Sequence, residues 1–222
     1  MQSGNTSLHL AAANGHSDVC QLLIKHGADI NRSGCNGQTP LMQACLSRKY
    51  ETAKTLLAAG ASTTDCDFDK NTALHLTCCF DGMDKSAAAA RQTVDMIESL
   101  MGATNQIAGS HRAYIHAHNG KKETALHFAA KSHQLLICRC LVDKFGADVS
   151  VVDRHGDTPL HVSGKSLDLH EYFISRGADP DAKNKDQCTY LEIDDDNKNV
   201  TKLNPMDSTM KVLGNTAGNI TN

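Results

Sequence analysis

A motif in which Leu follows Thr by two residues recurs along this 222-residue chain and constrains its fold more than any other feature. The steps between successive Thr residues of the motif are 33, 33, 52, 34 and 31 residues, counted over Thr6, Thr39, Thr72, Thr124, Thr158 and Thr189. A second marker, Gly followed by Ala, recurs at Gly27, Gly60, Gly102, Gly146 and Gly177. Two interlocked markers with a period near 33 predict a stack of small units that bury their apolar faces against one another.

The two markers have clear local roles. A Thr side chain that precedes a helix accepts hydrogen bonds from free backbone N–H groups. Pro40 and Pro159 follow such Thr residues at the first helical position, where a missing N–H costs nothing. The Gly of the second marker suits the end of a helix, because the chain there often needs a left-handed residue. Each unit is therefore predicted to contain an inner helix that starts after Thr and an outer helix that ends at Gly.

These motifs resemble those of the ankyrin repeat family, and the resemblance covers residues 1–193. It implies an all-α solenoid of about five to six helix-turn-helix repeats with β-hairpin loops. The repeats are expected at approximately 4–36, 37–69, 70–121 with insertions, 122–155, 156–186 and, as a partial copy, 187–193. Residues 194–222 begin with three Asp residues and lack apolar periodicity, so we expect a disordered acidic and polar tail.

The long step of 52 residues contains two insertions. The first spans residues 81–91 and includes four consecutive Ala residues, 87–90, which favour a longer third outer helix. The second lies around residues 108–120 and is expected to form a projecting finger.

Composition and charge exclude several functional classes. The formal net charge of −3 is unlike the basic stripe of a nucleic-acid scaffold. No stretch approaches the 18 or so apolar residues that cross a bilayer, so no membrane partner is expected. The nine cysteines are odd in number and show no CxxC pairs. We therefore expect a reduced protein in the cytoplasm or the nucleus.

The candidate catalytic and metal-binding residues have structural interpretations. His9, His75, His127 and His161 follow the Thr of the motif, and in the family this His resembles a structural hydrogen-bond donor between adjacent loops. Cys78 lies one turn after His75, but at a position where the repeat carries a small packing residue. We expect no enzyme activity, no cofactor and no metal. A metal site built from His111, His116 and His118 is the alternative that elemental analysis would test.

Asn31 is a candidate modification site. The segment Leu-Ile-Lys-His-Gly-Ala-Asp-Ile-Asn that ends at Asn31 resembles the site that intracellular asparaginyl hydroxylases modify in ankyrin repeats. The alternative is a turn residue whose side chain bonds nearby backbone.

The predicted function is non-catalytic binding of a partner protein through the hairpin tips, the finger and the concave face. Aromatic and Arg side chains are enriched at interface hot spots, and Phe68 and Tyr114 are expected to be exposed. The protein is expected to be a monomer unless an uncapped end associates. The alternative is that the chain is the recognition arm of a larger enzyme, channel or ubiquitin ligase. The candidate binding residues are Ser33, Cys35, Asn36, Phe68, Asp69, Tyr114, His116, Arg154 and His155.

Overall fold

The computed structural model describes residues 4–79, 86–104 and 110–193, without the side chains of residues 110 and 111. The predicted 194–222 tail therefore lies outside the described residues. In the parts of the chain that the structure describes, no helix has the length and apolar composition needed to span a bilayer.

The helices form two layers, as the two markers predict. The inner layer contains short helices, namely α1 (Ser7–Asn14), α3 (Pro40–Leu46), α5 (Ala73–Thr77) and α8 (Ala125–Lys131). The outer layer contains α2 (Ser17–Lys25), α4 (Tyr50–Ala58), α6 (Ala87–Thr104), α9 (Leu135–Arg139) and α10 (Leu167–Ser175), and α7 (Ser110–Ile115) lies between α6 and α8 in the chain. A π-helical turn, Cys140–Lys144, extends α9. Consecutive inner helices pack on one another from α1 to α8, and consecutive outer helices do so from α2 to α9, which makes the chain an all-α solenoid.

The predicted start signals are confirmed at four inner helices. Thr6, Thr39, Thr72 and Thr124 are the N-cap residues of α1, α3, α5 and α8, and Pro40 is the first residue of α3. The fifth copy differs, because Pro159 lies in a turn before a short 3-10 helix, His161–Ser163, and does not start an α-helix.

The predicted stop signals are confirmed for four of the five glycines. Gly27, Gly60, Gly146 and Gly177 have positive φ angles of 86°, 91°, 69° and 91°. The prediction for Gly102 is wrong, since α6 continues through it to Thr104. The continuation buries Met101 and Thr104 beyond the usual end of an outer helix. Burial of these side chains offsets the small helix penalty of Gly.

The first insertion lengthens the third outer helix, as predicted. Helix α6 begins at Ala87, within the Ala run, and has 18 residues, whereas α2 and α4 have nine each. Its buried face consists of Met96, Ile97, Leu100 and Met101. Residues 80–85 lie outside the described part of the chain.

The prediction of a projecting finger is wrong for the described part of the second insertion. Helix α7 packs on α6 and buries Tyr114 and Ile115. The Tyr114 hydroxyl accepts a hydrogen bond from the Leu74 N–H at 3.1 Å, at the start of α5. The insertion therefore folds back into the core of its own repeat.

The loops between repeats are turns. Among residues 4–79, 86–104 and 110–193 none lies in a regular β-strand, so the β-hairpin form of the loops is not confirmed. In the first described repeat, Leu10, Val19 and Leu22 are 46–56% exposed.

We predict that Leu74→Asp unfolds the neighbouring repeats. Leu74 is fully buried between repeats. A carboxylate there would lose its hydration without gaining a hydrogen bond or an ion pair. A circular dichroism melt should show the midpoint lowered by at least about 10 °C, since even Leu→Ala at such sites costs about 2–5 kcal/mol. The matched control is Leu22→Asp at a 56% exposed position, which should change the midpoint little. Equal effects of the two substitutions would contradict the assigned core.

Candidate functional site

In four of the repeats a buried histidine bonds the loop that follows. The Nδ1 atom of His75 accepts a hydrogen bond from the Thr72 N–H at 3.2 Å. The Nε2–H of the same ring donates to the Glu123 carbonyl oxygen at 3.1 Å, in the following loop. The same pattern joins His9 to Gln38, His127 to Asp157 and His161 to Cys188, at 3.0–3.2 Å. The predicted structural role of these four histidines is confirmed.

Five loop tips have one common geometry. We define them as tip 1 (34–38), tip 2 (67–71), tip 3 (119–123), tip 4 (153–157) and tip 5 (184–188). In each tip the first N–H donates to the fifth carbonyl oxygen, at 2.8–3.0 Å. In tips 2 to 5 the first residue is Asp or Asn, and its side-chain oxygen accepts the N–H groups of the third and fifth residues. Tip 1 has Gly34 at this place, and there the Asn5 side chain accepts the Cys35 N–H at 2.9 Å.

The five tips are joined into one row by backbone hydrogen bonds. In each case the second N–H of one tip donates to the third carbonyl oxygen of the tip before it. The four bonds are Phe68 N to Asn36 O at 2.9 Å, Gly120 N to Asp69 O at 2.7 Å, Arg154 N to Lys121 O at 2.9 Å and Lys185 N to His155 O at 2.9 Å. We call the five tips so joined the tip ribbon. It holds side chains from every repeat in a fixed order.

The tip ribbon brings most of the predicted binding residues together. Asn36, Phe68, Asp69, Arg154 and His155 belong to tips 1, 2 and 4, and all are exposed. Cys35 is an exposed member of tip 1, and the exposed Ser33 precedes it. Because hydrogen bonds fix the backbone that carries them, these side chains are presented by a rigid support.

Phe68 combines a fixed position with high exposure. Its side chain is 79% exposed, the highest value among the exposed large apolar residues. The ring lies over the backbone of Gly37, where a Cβ atom would come within 2.6 Å of Phe68 Cδ1. Gly37 also has a φ of +75°, which favours Gly. A close contact on one side and solvent on the other make Phe68 an apolar group available to a partner.

Tyr114 and His116 do not belong to the tip ribbon. The prediction that Tyr114 is exposed is wrong, because the side chain is 4% exposed and its hydroxyl bonds the start of α5. His116 is half-buried just after α7. Its charge is close enough to Asp148 to help lower the pKa of that carboxyl, after the larger effects of hydrogen bonds from Ser150.

The sequence analysis missed Lys121, Lys122 and Lys185. All three are exposed in tips 3 and 5. A positional signal could have found Lys121, since it precedes Thr124 by three residues, as Asn36, Asp69 and His155 precede their own marker Thr.

An ion pair connects tip 3 to the inner helices. Glu123 is buried, and its carboxylate accepts hydrogen bonds from Lys131 on α8 and from the Asn119 side chain. Burial raises the pKa of Glu123, but these hydrogen bonds outweigh burial and the net pKa is lowered. The carboxylate is therefore ionised at neutral pH and its charge is compensated within the protein.

His75 and Cys78 are not arranged for proton transfer. Both ring nitrogens of His75 already bond backbone groups. Burial raises the pKa of the Cys78 thiol well above its ordinary value, and the thiolate is the nucleophilic form of cysteine. All nine cysteines lie within the described residues and are free thiols.

The proposed metal site is tested only in part. Among the described side chains, no group of three His, Cys, Asp or Glu residues has the arrangement needed to hold a metal ion. His118 is exposed, and its Nδ1 lies 2.9 Å from the Lys122 carbonyl oxygen. The His111 side chain lies outside the described residues.

Asn31 makes a contact between repeats. Its side-chain oxygen accepts a hydrogen bond from the Ser62 N–H at 2.8 Å, and its own N–H donates to Asp29. The side chain therefore has the backbone-bonding role of a turn residue, extended to the next repeat. Its hydroxylation stays a prediction.

Stacked two-helix units, cross-linked by buried histidines and ending in a row of bonded tips, define a helical repeat protein with an extended contact surface. The chain belongs to the ankyrin repeat family, whose profile, described as ankyrin repeats in three copies, matches residues 1–67 and 85–184. Ankyrin repeats are protein-interaction modules, and proteins built from them are generally non-catalytic.

Curated relatives share this region within longer proteins. The chain is 33% identical over 173 residues to the E3 ubiquitin-protein ligase XBAT33 of Arabidopsis thaliana, covering 72% of the chain and 33% of the ligase. It is 32% identical over 197 residues to the NF-kappa-B inhibitor cactus of Drosophila melanogaster, covering 77% of the chain and 37% of the inhibitor. It is 28% identical over 184 residues to the human transient receptor potential cation channel subfamily A member 1, covering 72% of the chain and 16% of the channel. The chain thus spans well under half the length of these relatives.

We predict that the buried His75 makes stability fall in mild acid. Burial lowers the pKa of His75 from 6.5 to about 4. The unfolded chain therefore takes up a proton near pH 6.5 while the folded chain does not, so the free energy of unfolding decreases as the pH falls from 6.5 towards 4. At pH 5 the loss from this residue is about 2 kcal/mol.

Urea unfolding of the parent and of His75→Gln at pH 7.5 and pH 5 measures this effect. The side chain of Gln does not titrate, so the pH-dependent loss should be smaller by about 2 kcal/mol in this variant. His155→Gln, at an exposed tip position, is the matched control and should retain the loss seen in the parent. An unchanged loss in His75→Gln would show that His75 is not the group responsible.

Proposed function

We propose that this chain is a non-catalytic scaffold or adaptor that binds a partner protein through the tip ribbon and the adjoining concave face. The observation that carries the proposal is the exposed Phe68 on a tip fixed by backbone bonds to tips 1 and 3. Burial of such a ring removes a large apolar area from water. The fixed backbone keeps the entropy cost of binding small.

The concave face extends the same surface. Leu46, at the end of α3, is 41% exposed, and Lys131 at the end of α8 is exposed beside its Glu123 partner. Inner helices and tips thus supply apolar and charged groups side by side. Protein interfaces likewise combine apolar and polar groups.

A second candidate function is recognition within a larger protein. It is favoured by the relatives, in which the shared region makes up 16–37% of a ligase, a channel and an inhibitor. The binding role would be the same, and the chemistry would belong to another part of that protein. Sequencing of the full transcript tests this candidate: a ring-type ligase, channel or other catalytic domain in frame supports it, and a transcript that encodes residues 1–222 alone contradicts it.

We predict that Phe68→Ala combined with Arg154→Ala retains the fold but loses partner binding. Both side chains are exposed on the tip ribbon, so the melting midpoint should stay within about 2 °C of the parent. Truncating two contact residues should weaken retention of the partner at least thirtyfold, because a hot spot contributes about 2 kcal/mol or more. The measurement is capture on immobilised protein followed by quantitative mass spectrometry.

The matched control changes the outer helices. Lys54→Ala removes one cation from α4, and Gln92→Ala removes one polar side chain from α6. Neither substitution changes a tip. The double variant should leave retention unchanged. Loss of binding in this control with full retention in the tip variant would place the partner on the convex surface.

A further inference from the structure

In tips 3, 4 and 5 the basic side chains are exposed, whereas most of the carboxylates are buried or half-buried. Lys121, Lys122, Arg154 and Lys185 are exposed. Of the four carboxylates in these three tips, which the structure describes throughout, Asp186 alone is exposed.

The other carboxylates bond groups of the protein itself. Glu123 accepts from Lys131 and Asn119, and the Asp153 side chain accepts the backbone N–H groups of His155 and Asp157. Asp157 is half-buried and accepts from the Asn184 side chain at 2.7 Å. Carboxylates other than Asp186 therefore bond within the protein. The cationic side chains are exposed, and among them Lys185 Nζ donates one hydrogen bond to the Arg154 carbonyl oxygen at 2.7 Å.

The basic side chains lie on successive tips, Lys121 as the third residue of its tip and Arg154 and Lys185 as the second residues of theirs. The bonds Arg154 N to Lys121 O and Lys185 N to His155 O place one basic side chain or pair on each successive tip. Packed helices lie about 8–10 Å apart, which sets the distance from tip to tip. A polyproline II segment advances about 9.3 Å in three residues and returns to the same face. Its side chains at every third position therefore match the tips.

The first two tips present a different chemistry. Phe68 is apolar, Cys35 and Asn36 are uncharged, and the exposed charges of Asp69 and Lys70 oppose each other. The exposed side chains of tips 1 and 2 thus carry no net charge and include the apolar Phe68. Tips 3 and 4 expose basic side chains alone among their charged groups, and tip 5 exposes Lys185 beside Asp186.

On the basis of the proposed function, we infer that the partner contributes an extended acidic segment, with a carboxylate at every third residue and an apolar side chain one interval before the first carboxylate. The apolar side chain contacts Phe68, and the carboxylates pair with Lys121, Arg154 and Lys185 in turn. A carboxylate can bind the Arg154 guanidinium through two parallel hydrogen bonds.

A protein segment fits this surface better than a nucleic acid does. Phosphates follow one another continuously along a strand and favour an unbroken basic track. Here the exposed Asp69 and Asp186 carboxylates interrupt the track at both ends, and the formal charge of the chain is −3. The apolar Phe68 also calls for an apolar side chain opposite it.

The test uses the full chain and three labelled probes in fluorescence anisotropy. The first probe is a peptide of about ten residues with Leu at one end and Glu at every third position after it, separated by Pro and Ser to favour polyproline II. The second has the same composition with the three Glu residues adjacent, and the third is a single-stranded DNA of similar length. Both peptides are also made with the reversed sequence, so that both chain directions of the bound segment are tested.

We expect the spaced peptide, in one direction, to bind at least about fivefold more tightly than the clustered one, and more weakly as salt is raised. Lys121→Ala with Arg154→Ala should weaken its binding at least about tenfold, and Phe68→Ala at least about threefold. Lys54→Ala with Arg91→Ala removes the same charge from the outer helices and should change the affinity less than about twofold.

Equal binding of the two peptides, or equal weakening by the tip and outer-helix variants, would overturn the inference. Tighter binding of the DNA, lost in Lys121→Ala with Arg154→Ala, would assign the basic tips to nucleic acid instead. If a partner protein is retained through the tips but the spaced peptide does not displace it, the inference fails and the proposed function stands. If tip changes leave partner retention intact, the proposed function fails as well.

Discussion

The hydrogen bond from a buried His ring to a carbonyl oxygen of the next repeat is the interaction on which the rest of the structure depends. Each ring is held on one side by its own Thr N–H and donates on the other side to the fifth residue of the next tip. Without that bond, a buried carbonyl and a buried ring nitrogen would both lose their partners, which costs more than the net gain of an ordinary hydrogen bond. The order of the tips therefore follows from the packing of the inner helices.

The second repeat shows what happens where this His is absent. Met42 occupies the place, and its sulfur lies 3.5 Å from the Thr39 N–H. Sulfur is a weak acceptor and has no proton to donate to the next loop. Tips 2 and 3 are joined through side chains as well as backbone, since the Asn119 amide donates to the Asn71 oxygen at 3.0 Å, as the Asn184 amide does to Asp157 between tips 4 and 5. The Tyr114 hydroxyl adds a bond to the third inner helix. Polar contacts from the neighbouring repeat and from the insertion thus support this part of the stack.

The parts of the structure that recur with the period could be predicted, and the parts that interrupt the period could not. The Thr caps, four of the helix-ending glycines and the histidine bonds have the same surroundings in each repeat, so one physical argument covers all copies. Tyr114 and Gly102 lie in the enlarged third repeat, whose packing partners have no counterpart elsewhere in the chain. The packing of α7 on α6 buries Tyr114. The sequence alone does not reveal this packing, so the burial of Tyr114 could not be predicted. Lys121 was not among the predicted binding residues because it lies at an ordinary position of the repeat and does not interrupt the period.

A rigid tip ribbon explains how the exposed side chains can differ from tip to tip without loss of the fold. The first residue of tips 2 to 5 uses its side chain to hold two backbone N–H groups, and the backbone of the second and third residues joins the tips. The side chains of the second and third residues therefore take no part in either set of bonds. Phe68, Asp69, Lys121, Arg154 and His155 occupy those two places, and they differ widely in size and charge. Stability is carried by the backbone and, in tips 2 to 5, by the first residue. Specificity for a partner can therefore change at the other two places at little cost, except at Gly120, where a Cβ atom would lie 3.0 Å from the Asp69 carbonyl oxygen.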